Sequence, residues 1–438
     1  MTRVFLVWLF LAVAPQVIAA PENTLPIPVQ SALNHRHVPH DTLSIYVEDL
    51  ESGEVVARWQ DGIPRNPGST IKLLTTLVAL DVLGPTYAWQ TDIFAFGPVA
   101  DGKLNGDLLI DDSYFEVADH DPAAFDRQPL RAYNVAPNAL LMNFKVVRYW
   151  FEPNREANSV RIWLDPSLAN LEVDNRLTLT PGSCRGYQRG ITISSNASID
   201  KMTFSGKFPN GCEHYAMDRS ALSHNEFAYG LFMSLWRESG GKFDGGWKNA
   251  VAPNDVEPMI EFRSLPLADV ITRINKYSNN VMARQLLYTL AAEVLGAPGT
   301  EAGGRKVVGD WLQQNGLGFS ALAFDNGAGL SREARMTAAD FGAMLRFAWQ
   351  QPYMPEYVAS MSLSGLDGTL TNRLDKRPLE GTAHLKTGSL DHVAAIAGYM
   401  QSRSGRRFAV VVLQNHTDIH RGPGEEIQEA LLRWLHEL

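Results

Sequence analysis

Both ends of this chain read as β-structure, and that does more than any other feature to fix what it can fold into. Near one end Leu43, Ile45 and Val47 alternate with Ser44 and Tyr46, and a Ser52-Gly53 turn leads into residues 54–59, the pattern of an antiparallel hairpin with one buried face. At the other end residues 383–387, 393–401 and 406–414 form three strand-like runs, the last two joined at Ser404-Gly405. Residues 424–438 then place Ile427, Leu431, Trp434, Leu435 and Leu438 at helical spacing opposite an acidic face, as in a helix packed on a sheet. If the terminal strands share one sheet, the chain between them must be carried outside it. There, residues 267–350 carry a helical pattern in which Ala283, Leu286, Leu287, Leu290 and Val294 fall on one face. Residues 182–246 are instead rich in Gly, Ser, Asn and Thr with short alternating runs, the mark of an irregular β-rich insertion. The expectation is an α/β chain of the α+β kind: an antiparallel sheet built from both ends, a helical block packed on it, and an inserted region. The expected boundaries are 21–95 with 255–438 for the discontinuous unit and 96–254 for the insertion.

Residues 1–20 are expected to stand apart from that fold. Arg3 precedes an unbroken apolar run over residues 4–14, followed by Pro15 and small residues at Ala19 and Ala20, the layout of a cleaved secretory signal peptide. A run of 11 residues falls short of the ~20 needed to cross ~30 Å of hydrocarbon as a helix. Export, here to the periplasm, would place the chain where disulfides persist, and it has two cysteines, Cys184 and Cys212. Pairing them would contribute about 3–4 kcal/mol in the chain-entropy model. Two separate buried thiols are the alternative, and no further cysteine is available for a four-ligand zinc site. With 39 Lys+Arg against 48 Asp+Glu the formal charge is −9, so no global positive field draws the protein to nucleic acid. Any basic residue that matters must act locally.

The sharpest local signal is Pro67-Gly68-Ser69-Thr70-Ile71-Lys72, which opens a helix running through Leu73, Leu74, Leu77, Val78 and Leu80 to a Gly84-Pro85 stop. Positions i and i+3 share a helix face, so the Lys72 amine can reach the Ser69 hydroxyl. A serine at a helix start also sits at the positive end of the dipole, with its own N–H available to an oxyanion. That is a nucleophile with its base, built without histidine. Alone, S-x-x-K is weak, because about one chance match is expected in a chain of this length. Ser198-Ile199-Asp200-Lys201 supplies that match, in a Ser/Asn-rich stretch with no helix pattern after it. S-x-N recurs at Ser194/Asn196, Ser223/Asn225 and Ser278/Asn280, whereas Lys386-Thr387-Gly388 occurs once, on an expected strand. Order decides between them. Serine-lysine acyl-transfer enzymes that bind penicillin use S-x-x-K, then S-x-N in a helical block, then K-T-G on a sheet strand. Only Ser278-Asn279-Asn280 lies at the edge of the helical block and ahead of the K-T-G strand.

At these residues the chain resembles the D-alanyl-D-alanine carboxypeptidase/endopeptidases that form the class C low-molecular-mass penicillin-binding proteins. The likeness extends to Asn66, to Arg131-Ala132-Tyr133-Asn134, to residues 325–332 (DNGAGLSR), to residues 365–370 (GLDGTL) and to Ser389. The resemblance implies a β-lactamase/transpeptidase-like antiparallel sheet with a helical subdomain. It also implies two nested accessory domains inserted between the first two motifs. Two features depart from the family pattern. Asn279 stands where the family has the Asp of S-D-N, and residues 106–110 run directly into residues 111–115, where the family has a G-G-D-P loop and a helical segment. The second departure implies a shortened first accessory domain.

The same resemblance implies the chemistry. Ser69 would attack the carbonyl of a penultimate D-Ala in a peptidoglycan stem peptide or crosslink, with Lys72 as base. Ser278 would pass the proton to the departing amine, Asn280 would hold the acyl-side amide, and Lys386 with Thr387, Gly388 and Ser389 would bind the terminal carboxylate and help form the oxyanion hole. β-Lactam antibiotics would acylate Ser69 as mimics, and no cofactor is implied. Competing readings are a β-lactamase-like hydrolase, whose usual architecture lacks an insertion of this length, and a non-catalytic wall-binding scaffold. His35, His37 and His40 lie in a polar segment ahead of the first strand without fixed geometry, so no metal site is expected there. No G-x-S-x-G elbow surrounds any serine. The nine tryptophans beyond the leader read as packing rather than as a glycan platform, and the Asp111-Asp112 pair reads as a solvated turn. Oligomeric state and peripheral association with a membrane have no signature in the sequence.

Overall fold

Strands from the two ends of the chain pair in register, Leu43 opposite Gln414 and Asp49 opposite Phe408, as the alternation at both ends requires. The computed structural model describes residues 24–97, 102–253, 255–374 and 378–438, so the leader expected over residues 1–20 lies outside the described residues. The chain begins with α1 (Ile27–His35), β1 (Leu43–Asp49), β2 (Val55–Trp59) and α2 (Lys72–Leu83). It then enters a middle region containing β3 (Gln90–Ile93), β4 (Lys103–Leu104), β5 (Leu108–Ile110), β6 (Val146–Asn154), β7 (Ser159–Asp165), β8 (Glu172–Thr180), β9 (Ile191–Ser195), β10 (Lys201–Pro209), β11 (Tyr215–Ser220), α3 (His224–Glu238), β12 (Lys242–Phe243), β13 (Trp247–Asn249) and β14 (Ile260–Arg263). The helical block is α4 (Leu267–Tyr277), α5 (Asn280–Leu295), α6 (Glu301–Gln314), α7 (Ala338–Trp349) and α8 (Met354–Ala359). Last come β15 (Ser362–Leu363), β16 (Ala383–Leu390), β17 (Val393–Gln401), β18 (Arg407–Asn415) and α9 (Pro423–His436).

The first sheet has the order β15-β16-β17-β18-β1-β2 and is antiparallel throughout. It is buried on both faces, which is why its central strands read as almost unbroken apolar runs. Ala395, Ala397, Tyr399, Ala409, Val411 and Leu413 join one core with α2, α4, α5, α6 and α7. Ile396, Met400, Phe408, Val410 and Val412 join a second core with α1 and α9. On α5 Ala283, Leu286, Leu287 and Leu290 are buried as their spacing predicts, but Val294 is exposed because the last turn of the helix runs out past the core. Leu438 likewise lies beyond the end of α9.

Two helices depart from the sequence reading. The polar segment ahead of the first strand, expected to have no fixed geometry, contains α1, which has Pro26 as its N-cap and Pro28 in its first turn and whose Val29 and Leu33, one turn apart, fill the second core. The β-rich insertion contains α3, opened by a capping box between Ser223 and Glu226 and buried through Phe227 and Met233. Around α3 the insertion builds its own sheet, of order β11-β6-β7-β8-β10-β9, with a separate core that includes Val147, Tyr149, Phe151, Phe204 and Phe208. Cys184 and Cys212 form a disulfide that ties the β8–β9 connection to the β10–β11 connection. Three two-stranded ribbons, β3·β14, β4·β12 and β5·β13, link the outgoing and returning chain.

Candidate active site

Ser69 sits in a 3-10 turn, Gly68–Ile71, immediately before α2 rather than in the helix itself. In a 3-10 turn positions i and i+3 eclipse, so the sequence spacing still aligns serine and lysine. Ser69 Oγ and Lys72 Nζ are 2.8 Å apart. Lys72 is fully buried and its amine also reaches Asn280 Oδ1 at 2.6 Å and the carbonyl of Ala328. Burial drives its pKa well below the ordinary lysine value, and the nearby charges of Lys386 and Arg284 push it further down. A neutral amine beside a hydroxyl is a base.

Glycines let the K-T-G strand lie against this turn. A Cβ on Gly388 would fall 2.4 Å from Pro67 O and 3.1 Å from Ser69 N, and one on Gly68, where φ is +52°, would stand 3.3 Å from Ser389 N. The backbone N–H groups of Ser69 and Ser389 thereby border one site. Lys386, on β16, is fully buried and held by that burial at about 7. Its Nζ donates to Thr387 O at 2.8 Å. Thr387 Oγ1 donates to Thr369 Oγ1 at 2.8 Å, in the 365–370 segment that the Lys276–Asp367 ion pair fastens to α4.

The S-x-N triplet forms the corner between two helices. Ser278 ends α4 with φ +57°, Asn279 caps α5 by accepting from Met282 N at 3.0 Å, and Asn280 opens α5 facing Lys72. An amide oxygen caps as well as a carboxylate, so Asn279 keeps this corner where the family has Asp. The Ser278 side chain lines the same cleft as Ser69, a space of about 1340 Å³, and makes no hydrogen bond with the described residues. The structure thus brings Ser69, Lys72, Asn280, Lys386, Thr387, Gly388 and Ser389 together, with Ser278 lining the same cleft.

Asn66 and the 325–332 loop carry the resemblance without a role read from the sequence, and Asn415 and Arg284 were not singled out at all. Asn66 Nδ2 donates to Ser331 O at 2.9 Å while its Oδ1 accepts from Gly68 N at 2.9 Å, which pins the loop carrying Ala328 to the Ser69 turn. Asn415 Oδ1, at the end of β18, accepts from Asn66 N at 2.7 Å. Arg284 is buried in α5, and its Nη2 donates to Tyr133 O and Val135 O, each at 2.8 Å, joining the insertion to the helical block. An arginine among Ala283, Leu286 and Leu287 was the signal available for it.

The decoys lie elsewhere. Lys201 pairs with Glu172 at 2.6 Å, Ser223 caps α3, and Ser194 lies on β9. His35 is in α1, and His40 Nε2 lies 3.0 Å from Asn34 Oδ1. Among the described residues the one grouping of metal-ligand type is His392, Asp418 and His420. There the two Nδ1 atoms already accept from Asp418 N at 3.1 Å and His392 N at 3.0 Å. Asp112 is not a free turn residue, since its Oδ2 accepts from Asn138 and Asn225.

Comparison with known proteins gives the family and the fold. A model of the D-Ala-D-Ala carboxypeptidase 3 (S13) family matches residues 25–110 and 102–438. The chain is 24% identical to a D-alanyl-D-alanine carboxypeptidase of Actinomadura sp. (strain R39), over 88% of this chain and 80% of that protein. It is 22% identical to the D-alanyl-D-alanine carboxypeptidase DacB of Haemophilus influenzae, over 72% of this chain and 65% of that protein. The crystal structure of penicillin binding protein 4 (dacB) from Haemophilus influenzae shares the fold, with a TM-score of 0.76 at 19% identity, covering 94% of this chain and 100% of that one. A second structure of that protein, complexed with a β-lactam, superposes with a TM-score of 0.69 at 18% identity, covering 90% and 96%. By the extent of the family match, this chain belongs to the D-Ala-D-Ala carboxypeptidase 3 (S13) family, a family of serine peptidases that act on peptidoglycan.

Proposed function

We propose that Ser69 is the nucleophile with which this carboxypeptidase cleaves D-Ala-D-Ala ends and crosslinks of peptidoglycan stem peptides. The observation that carries the reading is the 2.8 Å contact between Ser69 Oγ and a buried Lys72 amine. Neutral Lys72 takes the Ser69 proton as Oγ bonds to the carbonyl carbon of the penultimate D-Ala. The oxyanion that forms is held by the N–H groups of Ser69 and Ser389, donors typically worth about 3–4 kcal/mol each. The C–N bond then breaks, and the leaving amine takes its proton by way of Ser278. Water resolves the acyl-enzyme and returns Ser69. The substrate carboxylate lies against Lys386 and Thr387, and its negative charge restores the Lys386 ammonium that burial disfavours. A crosslink presents the same carboxylate beside a D-configured amide.

Residues 96–254 act in this reading as accessory structure that forms the far side of the cleft. The relatives are bacterial penicillin-binding proteins, which fits an extracytoplasmic location, and a periplasmic protein freed of residues 1–20 is the form proposed here. No helix among the described residues is long and apolar enough to cross a membrane.

Labelling with a fluorescent penicillin, wild type beside Ser69→Ala, tests the proposal. Stable label lost in the variant is expected. Rapid turnover of the label would point to a β-lactamase, and no label on the wild type would point to a scaffold.

A further inference from the structure

The cleft that holds Ser69 does not end at the catalytic sheet. Its far side includes Arg148, Asp165 and Asp218 of the inserted sheet. These are neighbours across strands: Arg148 stands opposite Asp165 on β7 and Asp218 on β11, and its Nε and Nη2 hold the two Asp218 oxygens at 2.8 and 3.0 Å. Two residues along, on the same face, Trp150 stands opposite Trp163 with the rings stacked at 5.1 Å and 11°. The next rung is Glu152 opposite Arg161, and Trp163 Nε1 donates to Glu152 Oε1 at 3.3 Å.

Side chains alternate along a strand, so this face is the reverse of the one that buries Val147, Tyr149 and Phe151. The sheet already has its core on that other side. Trp163 is 38% exposed. Toward β8 it has no ladder partner, because β7 and β8 pair only at Ser159 and Thr178. Two residues of strand set the indole about 7 Å from Asp165 at the cleft rim.

Stacking covers the facing sides of the two indoles and the Arg148 guanidinium lies 5.8 Å from the Trp150 ring centroid, which leaves the outer face of Trp163. An aromatic face fringed by arginine and carboxylate side chains suits a pyranose ring, which is apolar on its C–H face and polar at its edge. An anionic lipid surface or nucleic acid meets acidic groups here on a chain whose formal charge is −9. We infer that the Trp150–Trp163 rung and its flanking charges form a saccharide subsite, which takes an N-acetylhexosamine ring of the glycan that bears the stem peptide. The inference rests on the reading of Ser69 as acting on peptidoglycan. It makes the cleft continuous from the scissile end of the peptide to the sugar strand.

The test compares two substrates in wild type, Trp163→Ala and Trp163→Tyr: a free acylated peptide ending in D-Ala-D-Ala, and the same peptide on soluble glycan strands. Saturation-transfer NMR with tetra-N-acetylchitotetraose reads saccharide binding directly, and circular dichroism reports the insertion's fold. Trp163→Ala should leave kcat and KM on the free peptide unchanged and raise KM on the glycan-linked substrate about three- to tenfold, the range an aromatic contact of this size is worth. Trp163→Tyr should fall between, and the chitotetraose signal should vanish in the alanine variant. Equal KM values for folded Trp163→Ala and wild type on the glycan-linked substrate overturn the inference. So does a wild-type dimer that Trp163→Ala dissolves without altering that KM, which assigns the face to a second copy. If the wild type cleaves neither substrate and takes no penicillin, the Ser69 reading fails instead, and the chitotetraose titration still decides the subsite.

Discussion

Replacing Gly388 by alanine tests how strictly the K-T-G strand must lie against Ser69, the proposed nucleophile. The added methyl carbon falls 2.4 Å from Pro67 O and 3.1 Å from the backbone nitrogens of Ser69 and Thr70, whereas ordinary contact begins at 3.4 Å. Relieving the worst contact requires β16 and the Ser69 turn to part by about 1 Å, since neither packed neighbour can be compressed. A misplacement of about 1 Å at a reacting centre costs on the order of 100-fold in rate. We expect the stopped-flow rate of Ser69 acylation by a fluorescent penicillin, and kcat/KM on a D-Ala-D-Ala peptide, to fall by about that factor. Stability should drop by about 1–3 kcal/mol from overpacking. Gly309→Ala is the control: its Cβ meets nothing within 4 Å, and inside α6 it should stabilise by about 0.5–1 kcal/mol without touching acylation. An alanine at 388 that acylates at the wild-type rate would refute the steric account of the oxyanion site.

Lys386 is charged in the unfolded chain up to its ordinary pKa of 10.5 but in the folded chain only up to about 7. Between those values the unfolded state binds the extra proton, so the cost of burying this lysine is full below about 7 and is relieved as pH rises toward 10.5. Lys386→Met should therefore raise Tm at acidic pH, by an amount that shrinks on the alkaline side, while abolishing turnover; a gain independent of pH counts against the assignment. Arg284→Met removes a cation that lowers the Lys72 pKa, so the acid limb of the acylation profile should move to higher pH. Its unpaired carbonyls at Tyr133 and Val135 should cost about 1–3 kcal/mol in chemical denaturation, and an unmoved limb defeats the electrostatic argument. Replacing Cys184 and Cys212 together by serine opens a loop of 28 residues and should lower the stability of the insertion by about 3–4 kcal/mol, leaving acylation intact below the new Tm.

What could be read from the sequence was what side chains announce at short range. The alternation in β1 and the apolar runs of β17 and β18 are local signals, as are the Gly84 stop of α2 and the order of the three motifs. The helix α1 was hidden because only two of its residues, Val29 and Leu33, are buried while Ile27 faces solvent, and it exists through its packing with α9. The helix α3 was hidden by a composition that reads as strand and turn, although Ser223 and Glu226 marked its start. The Ala328 carbonyl has no side chain to betray it, and Arg284 acquires its role only through contacts with residues about 150 positions away.

The pairing of β1 with β18 has a consequence for the life of the chain. Ser69, Lys72 and Lys386 are all synthesised before Asn415, whose side chain clasps both backbone groups of Asn66, the anchor of the Ser69 turn. On the proposed roles, a half-made or half-exported polypeptide would carry these groups and yet no armed serine. Latency would come from chain order, and a protein truncated after Gln401 should take up no penicillin.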